Sequence, residues 1–240
     1  MKSITKILSI TLVCFLVQSC DYESIRASST VTVQEVSYLD YTALSVSDDF
    51  NAYVTFSDTE EKIEIEASRN LHDRIIVRKD GDKLYIKMEN NLNIKGQETL
   101  NIYITTKQIT DFEAKGDSRI VLENLLDAQS AKIELSGDSY FTGELFLNDL
   151  KLVAKGDSKA DVYGDVGLLY VELTGDSTLK DYDLEVDDLL MDLRGDSDAY
   201  LTVKNTIDID ARGDSVLRYK GNAVITHVNL SGDSKIIDKN

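Results

Sequence analysis

Proline and tryptophan are both absent from this chain of 240 residues. At average usage near 5%, a chain of this length would contain about twelve prolines. Proline cannot donate a backbone hydrogen bond, so in sheets it is confined to edges, strand starts and bulges. The absence of proline therefore suits a backbone in which almost every N–H group is committed to a β-ladder.

Cysteine is nearly absent as well, with Cys14 and Cys20 as the two examples. Cys14 lies within the apolar stretch Ile7 to Val17, which follows Lys2 and Lys6 and has the length of a signal peptide. Removal of that segment would leave one cysteine, which excludes a disulfide framework. The stability of the folded part must then come from its core.

The junction Val17-Gln18-Ser19-Cys20 resembles the lipobox at which bacterial lipoproteins are cleaved and acylated, although Gln18 is unusual there. We therefore expect residues 1–19 to be a signal peptide and Cys20 to be the lipid attachment site. The alternative is an ordinary secretory signal with an incidental cysteine. Residues 20–35 are polar and serine-rich, and they predict a lipidated N-terminus and tether.

Localisation and partners follow from the anchor and from the net charge of −17. The expected location is the cell envelope, with the protein lipid-anchored in the outer membrane and exposed at the surface. The expected partner is therefore the membrane, contacted through the N-terminal acyl chains. So acidic a surface repels nucleic acid, which we exclude as a partner.

A repeated tripeptide is the strongest signal in the sequence. Gly-Asp-Ser begins at seven glycines spaced 21, 19, 19, 20, 18 and 19 residues apart. The seven copies are Gly116-Asp117-Ser118, Gly137-Asp138-Ser139, Gly156-Asp157-Ser158, Gly175-Asp176-Ser177, Gly195-Asp196-Ser197, Gly213-Asp214-Ser215 and Gly232-Asp233-Ser234. The copies predict one structural unit for each repeat, with the tripeptide at a turn.

The positions around each copy also repeat in chemistry. Apolar residues stand four and two positions before every glycine, as Val171 and Leu173 do, and the position between them is polar in six of seven repeats. This alternation is typical of a strand with one buried face. A unit of about 19 residues cannot bury that face alone but can when stacked. We predict an all-β fold, a single-chain, right-handed parallel β-solenoid (β-helix), with a β-sandwich or propeller as the alternative.

The repeat also divides the chain. Residues 114–240 are expected to form the regular Gly-Asp-Ser coils, and residues 36–113 to form irregular first coils continuous with them. Asp80-Gly81-Asp82-Lys83 predicts a turn between two strands of the irregular part. At the other end, the charged residues of Asp238-Lys239-Asn240 are expected to close the last coil and discourage edge-to-edge stacking.

A family resemblance rests on three groups of residues followed by strands that end in Gly-Asp-Ser. They are Ser47-Asp48-Asp49-Phe50-Asn51-Ala52-Tyr53-Val54, Asn70-Leu71 and Lys83-Leu84-Tyr85-Ile86. Over about residues 38 to 225 the chain resembles the putative auto-transporter adhesin head GIN-domain family. The resemblance implies a secreted β-solenoid, often behind a lipobox, and a role in adhesion.

The stacked Gly-Asp-Ser residues have two possible roles. A structural corner fits because glycine allows positive φ and because Asp and Ser bond nearby backbone groups. A ladder of divalent cations is the alternative, since aligned carboxylates are hard oxygen ligands. Basic residues beside the motif, such as Lys115 and Arg194, would relieve the carboxylates, so we expect no metal and no cofactor.

Catalysis would need residues that break the repeat, and none stand out. His72 and His227 are far apart in the sequence, and both are expected at the surface. Seven rings (Tyr140, Phe141, Tyr163, Tyr170, Tyr182, Tyr200 and Tyr219) could bind sugar but do not share one column. We therefore expect a non-catalytic binding or adhesion module for a glycan or protein surface ligand. A purely structural envelope component and a polysaccharide-acting β-helix enzyme are the alternatives.

Overall fold

The computed structural model describes residues 23–240, which form twenty strands and one short 3₁₀ helix at Arg69–Arg74. The strands are β1 Glu23–Arg26, β2 Val31–Val36, β3 Ala43–Val46, β4 Asn51–Phe56, β5 Lys62–Ser68, β6 Ile75–Asp80, β7 Lys83–Met88, β8 Leu92–Lys95, β9 Leu100–Thr106, β10 Asp111–Gly116, β11 Arg119–Leu122, β12 Leu126–Gly137, β13 Tyr140–Gly156, β14 Lys159–Gly175, β15 Thr178–Lys180, β16 Leu184–Gly195, β17 Asp198–Gly213, β18 Val216–Lys220, β19 Val224–Gly232 and β20 Lys235–Asp238. The predicted signal peptide and Cys20 lie outside the described residues. Within residues 23–240, no helix is long and apolar enough to cross a membrane.

The parallel solenoid is confirmed by the strand register. The glycines of all seven motifs pair in sequence order, from Gly116 with Gly137 through to Gly213 with Gly232, and every one of these pairings is parallel. The repeat length of about 19 residues is therefore one full coil. The handedness of the coil stays a prediction.

Alternation along each strand builds the core. In β13, Phe141, Leu145 and Leu152 point inward and are buried, whereas Lys151 is exposed. Parallel pairing in register then places like residues on top of one another, as in the column Ala154, Leu173 and Leu193. The inward columns merge into one continuous hydrophobic core that runs the length of the stack.

The first coils differ from the prediction in their order and direction. Strand β3 lies between β7 and β10, and β4 lies between β9 and β11, so the first coil in the sequence is the second in space. Strands β6 and β7 form an antiparallel hairpin, and β5 is antiparallel to both β2 and β9. Gly81, at φ +61°, makes the predicted hairpin turn. These antiparallel strands lie beyond β7 and β9 at the N-terminal end of the core. They therefore pair with the edge of the parallel stack.

The prediction that residues 20–35 form a tether is wrong for most of that segment, because it belongs to the fold. Strand β1 pairs in parallel with β8, and β2 pairs in antiparallel fashion with β5. These contacts give the polar residues of both strands backbone partners, so any tether after Cys20 is shorter than predicted.

The prediction that His72 lies at the surface is also wrong. His72 is buried, and its Nε2 lies 3.0 Å from the carbonyl oxygen of Thr32 on β2. His227 is exposed, as predicted.

The C-terminal end is open, contrary to the prediction that charge closes it. Strand β19 pairs with β17 on one side and has no strand on its other side within the described chain. Its apolar residues Val224, Ile225, Val228 and Leu230 are between 38% and 65% exposed. Asp238, Lys239 and Asn240 follow β19 in sequence but leave these side chains uncovered.

Candidate binding surface

The Gly-Asp-Ser corners need glycine for conformation, and from Gly156 onward they need it for space as well. All seven glycines have φ between +68° and +89°, the left-handed region that residues with a Cβ avoid. In the regular coils the backbones also touch: a Cβ added at Gly195 would lie 2.8 Å from the carbonyl oxygen of Gly175. A side chain at the glycine position of these coils is therefore disfavoured for two separate reasons.

The serine side chains point into the solenoid, toward the core. Six of the seven are buried, and the exception is Ser234 in the open last coil. The Ser177 hydroxyl lies 2.9 Å from the carbonyl oxygen of Thr174 and 3.1 Å from that of Gly156 in the preceding coil. Ser158, Ser197 and Ser215 also bond a glycine carbonyl oxygen of the preceding coil, so these serines link successive coils and have a structural role.

The aspartate side chains face solvent, and their backbones join the coils. The Asp196 N–H donates to the carbonyl oxygen of Gly175 at 2.9 Å, and Asp157, Asp176 and Asp214 make the equivalent bond. The neighbouring basic residues pair elsewhere: Lys115 with Glu113 and Arg194 with Asp192. No ion pair in residues 23–240 involves a motif aspartate, so water rather than lysine or arginine screens this column.

Calcium is expected to leave the stability of the protein unchanged beyond ordinary screening by salt. No group of three or more His, Cys, Asp or Glu side chains in the described chain is placed to hold a metal ion. Thermal unfolding in chelator and in millimolar calcium should give the same midpoint, with magnesium at equal ionic strength as the control. A calcium-specific rise matching about 4 kcal/mol, as expected at a thousandfold excess over the dissociation constant, would instead establish a site.

An eighth corner, with different residues, precedes the seven. The register of β3 with β10 and of β4 with β11 aligns Asp48-Asp49-Phe50 with Gly116-Asp117-Ser118. Asp48 adopts φ +72° in place of glycine, and its carboxylate accepts a hydrogen bond of 2.8 Å from the Met88 N–H. Phe50 is buried in place of serine. The motif thus begins one coil earlier than its sequence signature.

An acidic cleft of about 800 Å³ opens beside this corner, lined by Asp48, Asp49, Glu89 and Glu98 among others. Burial raises the pKa of Asp49, and the charges of Asp117, Glu98 and Asp48 raise it further. Burial and neighbouring negative charge therefore both disfavour the ionised form of Asp49. The cleft contains no histidine and no basic residue.

Glu113 lies where the out-of-order strands meet, and it should make stability depend on pH. Its carboxylate binds Lys83 of β7 at 2.9 Å and Lys115 at 2.6 Å. Burial raises the pKa of Glu113, but hydrogen bonds from Lys115 and Lys83 outweigh burial and lower it from 4.5 to about 2. Because the folded pKa is below the unfolded one, this stabilisation is present above pH 4.5 and is lost as the pH falls toward 2.

Glu113→Gln is therefore expected to lower the free energy of unfolding at pH 7 and to have progressively less effect between pH 4.5 and pH 2. Urea unfolding at several pH values measures this. Glu134→Gln is the control, since Glu134 forms its 2.7 Å ion pair with Lys132 on its own strand. An equal pH response from both variants would show that the ion pair between Glu113 and Lys83 does not cause the pH dependence of stability.

The seven rings that could bind sugar differ in their surroundings. Phe141 and Tyr219 are buried in the core. Cations lie over Tyr140, Tyr170, Tyr182 and Tyr200, at 4.5 Å, 5.3 Å, 4.5 Å and 4.9 Å from the ring centres. Tyr163 and Tyr170 are more than one third exposed and lie on the same strand, β14.

Three further apolar side chains join Tyr163 and Tyr170 to form what we call the mid-solenoid patch: Phe146, Tyr163, Leu168, Tyr170 and Leu190. Its members are 37% to 54% exposed. Tyr170 pairs in register with Leu190, and Leu168 lies two residues along on the same face of β14. Phe146 pairs with Asp165, two residues from Tyr163, so the patch continues onto the adjoining face. It spans three consecutive coils.

Sequence reasoning missed Phe146, Leu168 and Leu190 because it searched for rings in one column. The patch instead runs across columns. A signal was present, since these residues occupy outward positions where neighbouring coils carry Asp165, Asp188 and Asp208. Apolar residues at outward positions would have marked the patch.

Comparison with known proteins gives one family match and several solved structures of similar fold. Residues 40–223 match the family described as "Putative auto-transporter adhesin, head GIN domain". A solved putative adhesin from Bacteroides fragilis is 18% identical, with a TM-score of 0.84 over 90% of this chain and 100% of that chain. A putative adhesin and a putative lipid binding protein from Parabacteroides distasonis are each 13% identical, with TM-scores of 0.74 and 0.70; they cover 90% and 91% of this chain and 100% of their own. No curated protein matches the chain.

Proposed function

Because the chain belongs to the family of putative auto-transporter adhesins with the head GIN domain, we propose that it is a cell-surface lipoprotein that acts as a non-catalytic binding and adhesion module. Its lipid is attached at Cys20, and its solenoid projects from the outer membrane. The ligand class is a glycan or protein of another surface.

The mid-solenoid patch is the observation that carries this proposal. Exposed rings and aliphatic side chains gathered on one region of a monomeric surface mark an interaction site. Here the ladder of backbone hydrogen bonds holds them rigidly, so little conformational entropy is lost on binding. Acidic residues such as Asp165 and Glu185 border the patch, and their carboxylates can accept hydrogen bonds from sugar hydroxyls or backbone amides.

A glycan and protein binding array tests the proposal. We expect the wild-type protein to bind a reproducible ligand and the double variant Phe146→Ser, Tyr170→Ser to lose that binding at unchanged thermal stability. Leu39→Ser is the matched control, because Leu39 is 56% exposed and lies outside the patch. Binding that survives the double variant places the site elsewhere. The absence of any ligand favours a structural envelope component, and turnover of a polysaccharide favours an enzyme.

The lipid anchor is tested at Cys20. Cys20→Ser is expected to abolish acyl labelling and to release the protein from the membrane fraction, because the thiol is the attachment point. Cys14→Ser is the control and should leave both unchanged. A Cys20→Ser protein that remains labelled and membrane-bound would contradict the anchor.

A further inference from the structure

The open edge at β19 is built like the interior of the stack. Ile225, Val228 and Leu230 pair in register with Ile207, Ile209 and Ala211 of β17, which are fully buried. The same three columns are therefore buried in one coil and exposed in the next. Together with the free backbone groups on the outer side of β19, they leave the core open at this end.

No charged residue protects this edge. Strand β19 contains no Asp, Glu, Lys or Arg, whereas β17 carries Asp208, Asp210 and Arg212 over the paired segment. In residues 221–240 Asp233 and Asp238 are balanced by Lys235 and Lys239, while the whole chain carries −17. Edge strands normally carry charge or proline that discourages pairing with another chain. This end is thus the neutral part of an otherwise acidic molecule.

We propose that the β19 edge pairs with the β19 edge of a second copy of this chain, so that two solenoids join end to end. Two copies of this acidic chain repel each other along the sides of the solenoid but not at the neutral β19 edge. The β19 edge of a second copy is therefore a favourable partner for this edge. Two such edges related by a twofold axis pair antiparallel, satisfy their backbone groups and bury each other's exposed columns.

Pairing stops at two copies, because in a twofold arrangement the β19 edge of each copy is occupied by the other. At the opposite end of the solenoid β2 and β6 are the outermost strands, both antiparallel to their neighbours, and β6 carries Arg78, Lys79 and Asp80. A head-to-tail stack would have to displace or match these strands. The twofold arrangement is closed and needs only the β19 edge of each copy.

In such a dimer, the N-terminus of each copy lies at the end farthest from the contact. Strand β1 pairs with β8, and its Glu23 binds Arg74, which directly precedes the outermost strand β6, so the chain enters the solenoid at the end opposite β19. From β6 to β19 there are nine strand steps of about 4.8 Å, or roughly 43 Å. This inference rests on the proposed function, in which the lipid is attached at Cys20. The two lipid anchors then lie at opposite ends of the dimer. Two opposed membranes would then be joined through identical tips.

Sedimentation of the full chain carrying Cys20→Ser tests the pairing independently of the lipid. We expect a concentration-dependent dimer, and we expect Val228→Lys and Leu230→Lys to shift the protein to monomer, because both side chains line the pairing edge. At concentrations where the wild type is itself monomeric, the variants should melt at the wild-type temperature, since a dimer raises the apparent melting temperature only where it is populated. Leu125→Lys is the matched control, with 41% exposure for both Leu125 and Leu230, and should remain dimeric. A monomeric wild type, or loss of the dimer in Leu125→Lys alone, overturns the proposal.

Vesicles carrying the acylated wild-type chain test the bridge. We expect them to cluster, as measured by light scattering, and we expect vesicles carrying Leu230→Lys to stay dispersed. A solution dimer whose vesicles do not cluster overturns the bridge between membranes. The outcomes remain separable from the proposed function, since Phe146→Ser, Tyr170→Ser should abolish ligand binding without affecting clustering, and failure of acylation at Cys20 leaves the sedimentation result intact.

Discussion

Leu173→Asp is expected to cost several kcal/mol of unfolding free energy. Leu173 is fully buried, and its register neighbours in the coils before and after are Ala154 and Leu193. The substitution removes core contacts, which costs about 2–5 kcal/mol for a large aliphatic side chain, and it also buries a carboxylate among apolar side chains. Urea unfolding followed by circular dichroism would measure the loss.

The adjacent residue provides the control. Glu172 faces outward between Val153 and Asp192, so Glu172→Lys should change stability by about 0.5 kcal/mol or less in either direction. Two neighbouring substitutions, one nearly silent and one severe, are what a ladder with one buried face requires. Comparable losses from both would mean that the inward and outward faces are wrongly assigned.

Gly195→Ala is expected to have the next largest effect, at about 3 kcal/mol. Holding a residue with a Cβ in the left-handed region costs roughly 1–2 kcal/mol, and Gly195 has φ +86°. The added Cβ would also lie 2.8 Å from the carbonyl oxygen of Gly175, a backbone atom held in the stack. Relief requires these two coils to separate, which weakens the 2.9 Å hydrogen bond from the Asp196 N–H to the Gly175 carbonyl oxygen.

Gly81→Ala separates the two contributions. Gly81 has φ +61° but no atom within 4 Å of its added Cβ, so this variant should lose only the conformational part, about 1 kcal/mol. Thermal and urea unfolding of both variants would measure the difference. Equal losses of unfolding free energy in the two variants would show that the close contact between coils adds nothing to the cost of a Cβ at Gly195.

The regular coils could be predicted because their information is local and repeated. Val171, Glu172 and Leu173 show which face is buried, and the spacing of the glycines shows which residues stack. A one-residue shift would expose the whole inward set, so the pattern permits one register. Gly116 and its six equivalents were recognisable for the same reason.

The first coils could not be predicted to the same depth, since alternation identifies a strand but not its partner. The run Leu84-Tyr85-Ile86 has the same pattern whether β7 lies outside β3 or after it, and Ile63-Glu64-Ile65 is equally compatible with parallel and antiparallel pairing. The corner at Asp48 was missed because two of its three residues differ from the repeat. The assignment of residues 23–35 to a tether failed because contacts with β8 and β5, distant in sequence, hold them.

The sequence by itself determined the architecture of this protein: seven corners at a spacing of about 19 residues, with alternating apolar columns, leave a parallel stack as the way to bury its apolar face. Only the tertiary structure decided which surfaces remain for other molecules. The mid-solenoid patch forms across columns from residues on β13, β14 and β16, and Val228 is exposed although its column is buried elsewhere. Exposure depends on what lies above a residue in the stack, and that neighbour is a whole coil away along the chain.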